Sequence, residues 1–273
     1  MPIITISRGS YSYGKEIAEK VAQKLGYECI DREVLLEASK EFNVPQIKLI
    51  HVIRDAPSIL ERFTHGKEKY IAFIQAAILE HFQKDNVVYH GLAGHFFVKG
   101  ISHVLKVRII VDLENRIRVV MARDKISRND AQHFIEKIDN ERRHWSKHLY
   151  GIDSWDSSLY DLVIHIHKIT IDDAVDIICH TAGLKDFQTT PESRKAMDDL
   201  VLSAQVKAAL IDVNLEIKVS VQDGVVFVET EAPILQEHAL IRDIERISKN
   251  VPGVKEVKSK VLPPGPYSPR YTD

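Results

Sequence analysis

Residues 3–26 read IITISRGSYSYGKEIAEKVAQKLG: an apolar β-branched run, a short polar loop, then a helical repeat. The first run, Ile3–Ser7, suits a strand buried on both faces. Ile17, Ala18, Val21, Ala22 and Leu25 recur at spacings of three and four, which puts one apolar stripe on a helix, and Gly26 stands where that helix would be capped. Between strand and helix, Gly9 to Lys15 has the spacing Gly-x-x-x-x-Gly-Lys. A loop of this kind leaves backbone N–H groups unpaired at the positive end of the helix dipole, where a phosphate can sit. A lysine at its end reaches the outer phosphates. Glu16 stands where Ser or Thr usually helps to hold magnesium. Tyr11 and Tyr13 each cost about 1–2 kcal/mol if the loop demands left-handed backbone.

Working outward, strand candidates Ile3–Ser7, Glu28–Ile30, Asn86–His90, Val104–Val111 and Asp161–Ile166 alternate with helical patterns. That alternation predicts an α/β fold, a parallel sheet with helices on both faces, over residues 1–183. The stretch from Arg32 to Lys84 reads as two or three helices. Past Gly183 the pattern breaks, and residues 184–192 read as a linker. Residues 193–263 then give a small α+β unit in the order αββαβ. Its parts are a helix over Arg194–Ile211, LEIKVSV, a turn at Gln222-Asp223-Gly224, VVFVETE, a helix over Ile234–Ser248 and VKEVKSKVL. The Pro-rich residues 264–273 are expected to be a mobile tail.

With 273 residues, the chain has room for one large domain and a small one. A hydrophobic share of 44% with 28% charged residues is that of a soluble globular protein. The net charge of −2 recruits neither nucleic acid nor an anionic membrane, so phosphate binding has to come from locally placed cations. No run approaches the roughly 18 apolar residues that span a bilayer, so no transmembrane segment is expected. Cys29 and Cys179 lie far apart, which argues against a disulfide and for a reducing, cytoplasmic setting. His165 and His167 would share one face of a strand, and His90 and His95 flank a glycine loop. The sequence offers no third ligand at a supporting spacing, so these read as ordinary histidines.

The stretch ITISRGSYSYGKEIAEKVAQKLGYECIDRE resembles the opening of the cytidylate-kinase-like group of P-loop nucleotide kinases. That group carries Ser-Arg-x-x-Gly-Ser-Gly-Gly-Arg/Lys-Glu-Ile-Ala, then Asp-Arg-Glu after the second strand. Ser7, Arg8, Ser12, Gly14, Lys15, Glu16 and Asp31-Arg32-Glu33 match, whereas Tyr11 and Tyr13 replace two loop glycines. The resemblance accounts for Glu16. It continues through VLKVRIIVDLENRIRVVMARDKIS, IEKIDNERRHWSKHLYG and YDLVIHI, and covers roughly residues 1–182. In YHGLAGHFF, Gly91 matches a Gly-Arg-Gly-Ala pattern but Leu92 replaces the arginine and cannot supply its hydrogen bonds. The region Arg194–Leu262 resembles a BON domain, on its αββαβ order, DGVVFVET and VPGVKEV. BON domains are associated with phospholipids, small ligands and protein partners.

Phosphoryl transfer needs two phosphate groups held in line, magnesium, and cations around the moving charge. In the helix Arg128–Tyr150, Arg142 falls on the apolar stripe of Ile135, Ile138, Trp145 and Leu149, so it is paired, snorkelling or aimed into a cleft. Asp139 is spaced to pair within the helix with Arg142 or Arg143. Arg116 and Arg123, seven apart, suit one cleft or a solvated face equally. The resemblance implies ATP and Mg2+ as cofactors and a CMP- or dCMP-type acceptor. Lys15, Arg123, Arg142 and Arg143 are the expected catalytic cations, and Arg8, Gly9, Ser12, Gly14, Lys15 and Glu16 the expected ATP-binding set. The acceptor set is Asp31, Arg32, Gly91, Arg116, Asp139 and Asp161. Asp31 and Arg32 end the second strand, at the edge where parallel sheets bind ligands. Asp161 suits a cap equally well. Asp112, after the fourth strand, is the candidate for organising magnesium through water. A nucleotide sensor without turnover, coupled to the BON-like unit, is the alternative that Tyr11, Tyr13 and Leu92 keep open; a scaffold without nucleotide affinity is a third.

Overall fold

A computed structural model of the chain describes residues 2–31, 42, 67–91 and 94–263. Arg32, Leu92, the 264–273 tail and most of the expected helices between Arg32 and Lys84 lie outside the described residues. Strand β1 (Ile3–Arg8) forms the centre of a parallel sheet. It is flanked by β3 (Val87–His90) and β4 (Val104–Val111), with β2 (Glu28–Ile30) beyond β3 and β5 (Leu162–Ile166) beyond β4. Ile4 lies opposite Val88 on one side and Leu105 on the other, and Val111 of β4 pairs with Ile166 of β5. All these strands point the same way, so the ends of β1, β3, β4 and β5 share one edge. Asp85 and Asn86, both at φ near +55°, make the turn before β3, which therefore starts at Val87 rather than Asn86.

Helix α1 (Gly14–Leu25) buries Ile17, Ala18, Val21 and Ala22 on one face of the sheet, beside α6 (Ile171–Ala182). Lys20–Asp172 at 2.8 Å and Lys24–Asp176 at 2.5 Å link the two helices, and Gly26 caps α1 at φ 69°. Helix α2 (Lys67–Gln83) covers the other face through Phe73, Ile78 and Phe82. After a short turn of helix, α3 (Gly94–Phe97), and strand β4 comes a helical pair, α4 (Leu113–Asp124) and α5 (Arg128–Tyr150). Ile117, Val120, Ala131 and Ile135 form its own small core.

A second, mixed sheet follows, with β6 (Lys218–Gln222) antiparallel to β7 (Val225–Glu231) and β8 (Glu256–Leu262) parallel to β7. Asp223 and Gly224, both left-handed, turn the hairpin as the Asp-Gly pair predicts. Helices α7 (Pro191–Leu210) and α8 (Glu237–Ser248) supply this sheet's core with Leu202, Val206, Leu210 and Ile244. Among the described residues no helix is long and apolar enough to cross a membrane.

The segment expected as a linker is packed rather than loose. Phe187 joins the α1–α6 core, Gln188 donates to the Ala182 carbonyl at 2.8 Å, and Thr189 donates to Asp85 at 2.9 Å. Thr190 caps α7, and Pro191 occupies its first turn, so the helix starts three residues before Arg194. Helix α7 is apolar on two faces. Met197, Val201, Ala204 and Ala208 enter the core around α2, while Leu202, Val206 and Leu210 enter that of the second sheet. Arg194 pairs with buried Asp85 and donates to the Gln83 carbonyl, Gln83 donates to Asp198 at 2.7 Å, and Lys69 bridges to Asp212. One helix thus belongs to both cores. Met197→Ala and Leu210→Ala should each lower stability by about 2–5 kcal/mol, and in both variants tryptophan emission and far-UV circular dichroism should report one common denaturant midpoint. Separated midpoints would show that the two sheets unfold independently.

Candidate functional site

Strand β1 ends at Arg8 and α1 begins at Gly14, so the loop of interest is residues 9–13. Tyr11 and Tyr13 do adopt left-handed backbone, at φ 55° and 57°. Their strain is opposed by packing. The Tyr11 ring lies 4.6 Å from the Arg123 guanidinium and 6.1 Å from the Phe134 ring, and Tyr13 packs on the α1–α6 core. Ser12 Oγ donates to the Gly9 carbonyl across the loop at 2.8 Å. Gly14 is required for space, since a Cβ there would lie 2.5 Å from Arg8 Cδ. Lys15 is exposed at the start of α1, 3.6 Å from Glu19, and Glu16 faces Lys20 at 3.4 Å.

A cavity of about 240 Å³ opens beside the loop. Arg8, Gly9 and Ser12 line it from the loop side, Arg108 and Ile110 from β4, Arg116 from α4, and Asp139, Arg142 and Trp145 from α5; Trp155 adds an aromatic wall. Among the described residues, four arginines and one carboxylate therefore line the space. At its base the Tyr160 hydroxyl donates to the Ser154 carbonyl at 2.9 Å and lies 3.2 Å from both Ser7 Oγ and His95 Nε2. Arg108 donates to the same carbonyl and to Tyr160. Burial, reinforced by Arg108, pushes His95 down to about 3, so its ring is neutral near pH 7.

Asp139 does not pair along its own helix with Arg143. One of its oxygens accepts from the Ser10 N–H at 3.1 Å and the Ser10 hydroxyl at 2.7 Å, and the other accepts from Arg116 at 2.5 Å. Arg143 is bidentate on Asp153, holds that carboxyl well below its ordinary range, and stacks on Trp155 at 4.7 Å.

Of the residues singled out in the sequence, Arg8, Gly9, Ser12, Arg116, Asp139 and Arg142 meet at the cavity, with Gly14, Lys15 and Glu16 opening α1 beside it. The others lie elsewhere. Arg123 is exposed, pairs with Asp124 and faces Tyr11; it does not share the cavity with Arg116. Asp161 stands at the start of β5, away from its C-terminal end, where its carboxylate accepts from Lys106 N–H at 2.8 Å. Gly91 makes room for Tyr89, whose hydroxyl would lie 2.5 Å from a Cβ there. Asp31 follows the end of β2. Asp112 sits between two imidazoles, 2.9 Å from His165 Nε2 and 2.6 Å from His167 Nδ1. The fold thus brings a third group to the His-x-His pair, yet no three metal-capable side chains among the described residues converge as an ion site. The chain offers no preassembled magnesium cage there, whereas its loop amides, Lys15 and arginines suit a polyphosphate.

The sequence reading missed Ser10, Arg108, Tyr160 and Trp155, and it set His95 aside as an ordinary histidine. For Arg108 a signal existed: it alternates with buried Val107 and Ile109 on β4 and so faces the other side of the sheet.

A phosphate loop after the first strand of a parallel sheet ordered β2-β3-β1-β4-β5, overlooked by arginines from a helical pair, defines an α/β protein of the P-loop kinase type. Residues 3–168 match the Cytidylate kinase-like family, and the chain belongs to that family. It is 26% identical over 189 residues to a cytidylate kinase of Sulfolobus acidocaldarius, covering 68% of this chain and 97% of that one. It is 35% identical over 100 residues to a cytidylate kinase of Methanosarcina acetivorans, covering 36% of this chain and 54% of that one. The fold is shared with a solved, uncharacterized protein from Eubacterium ventriosum at TM-score 0.51 and 20% identity, over 67% of this chain and 98% of that one.

His95 gives a pH prediction. Its folded value lies below its unfolded value of about 6.5, so between about 6.5 and 3 the unfolded chain binds the proton more readily, and stability falls as pH falls. His95→Phe should flatten this acid slope by at most about 1.4 kcal/mol per pH unit. Urea unfolding at pH 7 and pH 5 reads the difference, and an unchanged slope would place the proton elsewhere.

Proposed function

We propose that the chain transfers the γ-phosphoryl group of MgATP to a nucleoside monophosphate of the CMP or dCMP kind. The observation that carries this reading is the cavity beside the phosphate loop, which Arg8, Arg108, Arg116 and Arg142 line together with Asp139. Such a cluster of cations suits the charge that spreads over the phosphoryl oxygens during transfer. Lys15 and the N–H groups of the first turn of α1 hold the donor phosphates in this scheme, with Gly9, Ser12 and Gly14 shaping the loop. Magnesium arrives on the nucleotide and neutralises its phosphates. Asp112 would face its water with an imidazole already beside each oxygen, and Glu16 faces Lys20.

Arg8, Arg116 and Arg142 take the positions closest to the transferred group. Arg123 and Arg143 act from the rim, the first by bracing Tyr11 and the second by holding Trp155. Trp145, Trp155 and Phe96 offer apolar surface to an acceptor base, with Asp31, just past β2, and Arg32 orienting its sugar or base. Gly91 and Asp161 position Tyr89 and β4. The relatives named cytidylate kinase support the pyrimidine acceptor.

A second reading is a nucleotide sensor that does not turn over. The left-handed Tyr11 and Tyr13 favour it, as does α7, which runs from the kinase-like core into a BON-like unit able to take a small ligand, phospholipid or protein partner. The deciding measurement is ADP formation from MgATP with each nucleoside monophosphate in turn. One acceptor should stimulate release, and Lys15→Ala should lower that rate by about 100-fold or more. Because Lys15 is exposed, the variant's stability should move by no more than about 0.5 kcal/mol. Folded protein that binds ATP but releases no ADP with any acceptor would leave the sensor.

A further inference from the structure

Ser10 is 2% exposed, and its N–H, hydroxyl and carbonyl are all engaged by two side chains. Its N–H and hydroxyl both point at one oxygen of Asp139, at 3.1 and 2.7 Å. Its carbonyl and hydroxyl accept from Arg116 Nε and NH2, at 2.8 and 2.6 Å. Arg116 then closes the ring on the second oxygen of Asp139, at 2.5 Å. The Arg116 and Asp139 side chains are only 11% and 14% exposed, so bulk water screens this pair weakly. A loop N–H, a hydroxyl and a guanidinium converging on an anion form the donor set that binds a phosphoryl group. Here the anion is a carboxylate of the chain itself.

We propose that Asp139 is an internal stand-in for a phosphoryl group: the Ser10 N–H, the Ser10 hydroxyl and Arg116 form an oxyanion subsite that α5 occupies until a polyphosphate displaces it. The inference rests on the reading of this loop as a nucleotide-phosphate site and adds a regulated subsite to it. The ring draws on three elements, the loop, α4 and α5, so it latches the helical pair onto the loop. A polyphosphate carries more negative charge than one carboxylate and competes for the same donors. When it wins, Arg116 turns to the incoming anion, Asp139 returns to water, and α5 with Arg142 is released from the loop. Until then, only molecules with an open latch bind, which lowers the apparent affinity.

Asp139→Asn keeps the size and an acceptor for Ser10 but removes the competing charge. The test is titration of the full-length chain with tripolyphosphate by calorimetry, together with hydrogen exchange over residues 8–13 and 128–150. The variant should bind tripolyphosphate about tenfold more tightly than the wild type. Its unliganded α5 should exchange at the rate that the wild type reaches only when saturated. Ser10→Ala, which removes the hydroxyl bridge and leaves the amide, should also speed exchange over α5. Equal or weaker binding by folded Asp139→Asn, with α5 exchange unchanged, overturns the latch, as does the absence of tripolyphosphate binding by both proteins. Tighter binding by the variant, with no turnover by the wild type on any acceptor, leaves the latch standing and removes only the transferase reading.

Discussion

A phosphate loop that places tyrosine at two left-handed positions cannot hold its own shape, and much of the architecture around it supplies the missing support. Each such residue opposes the loop by about 1–2 kcal/mol. Tyr11 is held by Arg123 from α4 and Phe134 from α5, Tyr13 by the core under α1, and Ser10 by Asp139 and Arg116. The helical pair is therefore not an appendage over the site. It is the outer half of the loop's support, and Arg116 reaches the cavity because the same side chain holds the loop. Strain of this kind persists where surrounding contacts over-determine it, which is common where a segment must change state.

The second constraint is α7. A helix with one apolar stripe can leave its neighbour, but α7 buries Met197, Val201 and Ala204 in one core and Leu202, Val206 and Leu210 in another. Its start is fixed by the Asp85–Arg194 pair beside fully buried His103, and its end by Lys69–Asp212. Both anchors lie on or just after α2, the helix that covers the sheet face away from α1. Rotating the small sheet would expose apolar surface on both sides of α7, which opposes independent motion of the two sheets.

The strand–loop–helix opening, the alternation of strands with helices and the αββαβ tail were legible because they rest on local periodicity and on turn residues such as Gly26, Asp223 and Gly224. Boundaries moved by one to three residues where side chains decide them, as Thr190 does for α7 and Asp85-Asn86 for β3. What sequence could not show was partner choice over long separations. Asp139 has two arginines within four residues of it, and spacing alone favours either; the fold sends it instead to Ser10, 129 residues away. The sequence showed α7 only as a helix beside a linker, because a second buried face shows only when its neighbour is known. Arg123, which suited a cleft or a solvated face equally, and Arg143, which the resemblance placed among the catalytic cations, are held outside the cavity by Asp124 and Asp153.

The balance of charge within the cavity is the remaining argument about what the site is for. The chain as a whole carries a net charge of −2, so no general field draws anions to it. Yet among the described residues four guanidinium groups line one space with one carboxylate, and the buried imidazole beside them stays neutral. Like charges gathered at low exposure repel each other, and the repulsion strengthens as water is excluded. Part of it is met internally, by Asp139 for Arg116 and by the Ser154 carbonyl and Tyr160 for Arg108. A structural role would be served better by apolar residues of similar volume, since buried ionic groups seldom add net stability. Arginines assembled against that gradient make physical sense if an anionic ligand completes the set, and the carboxylate that α5 places in the loop has the charge and the donors of that ligand.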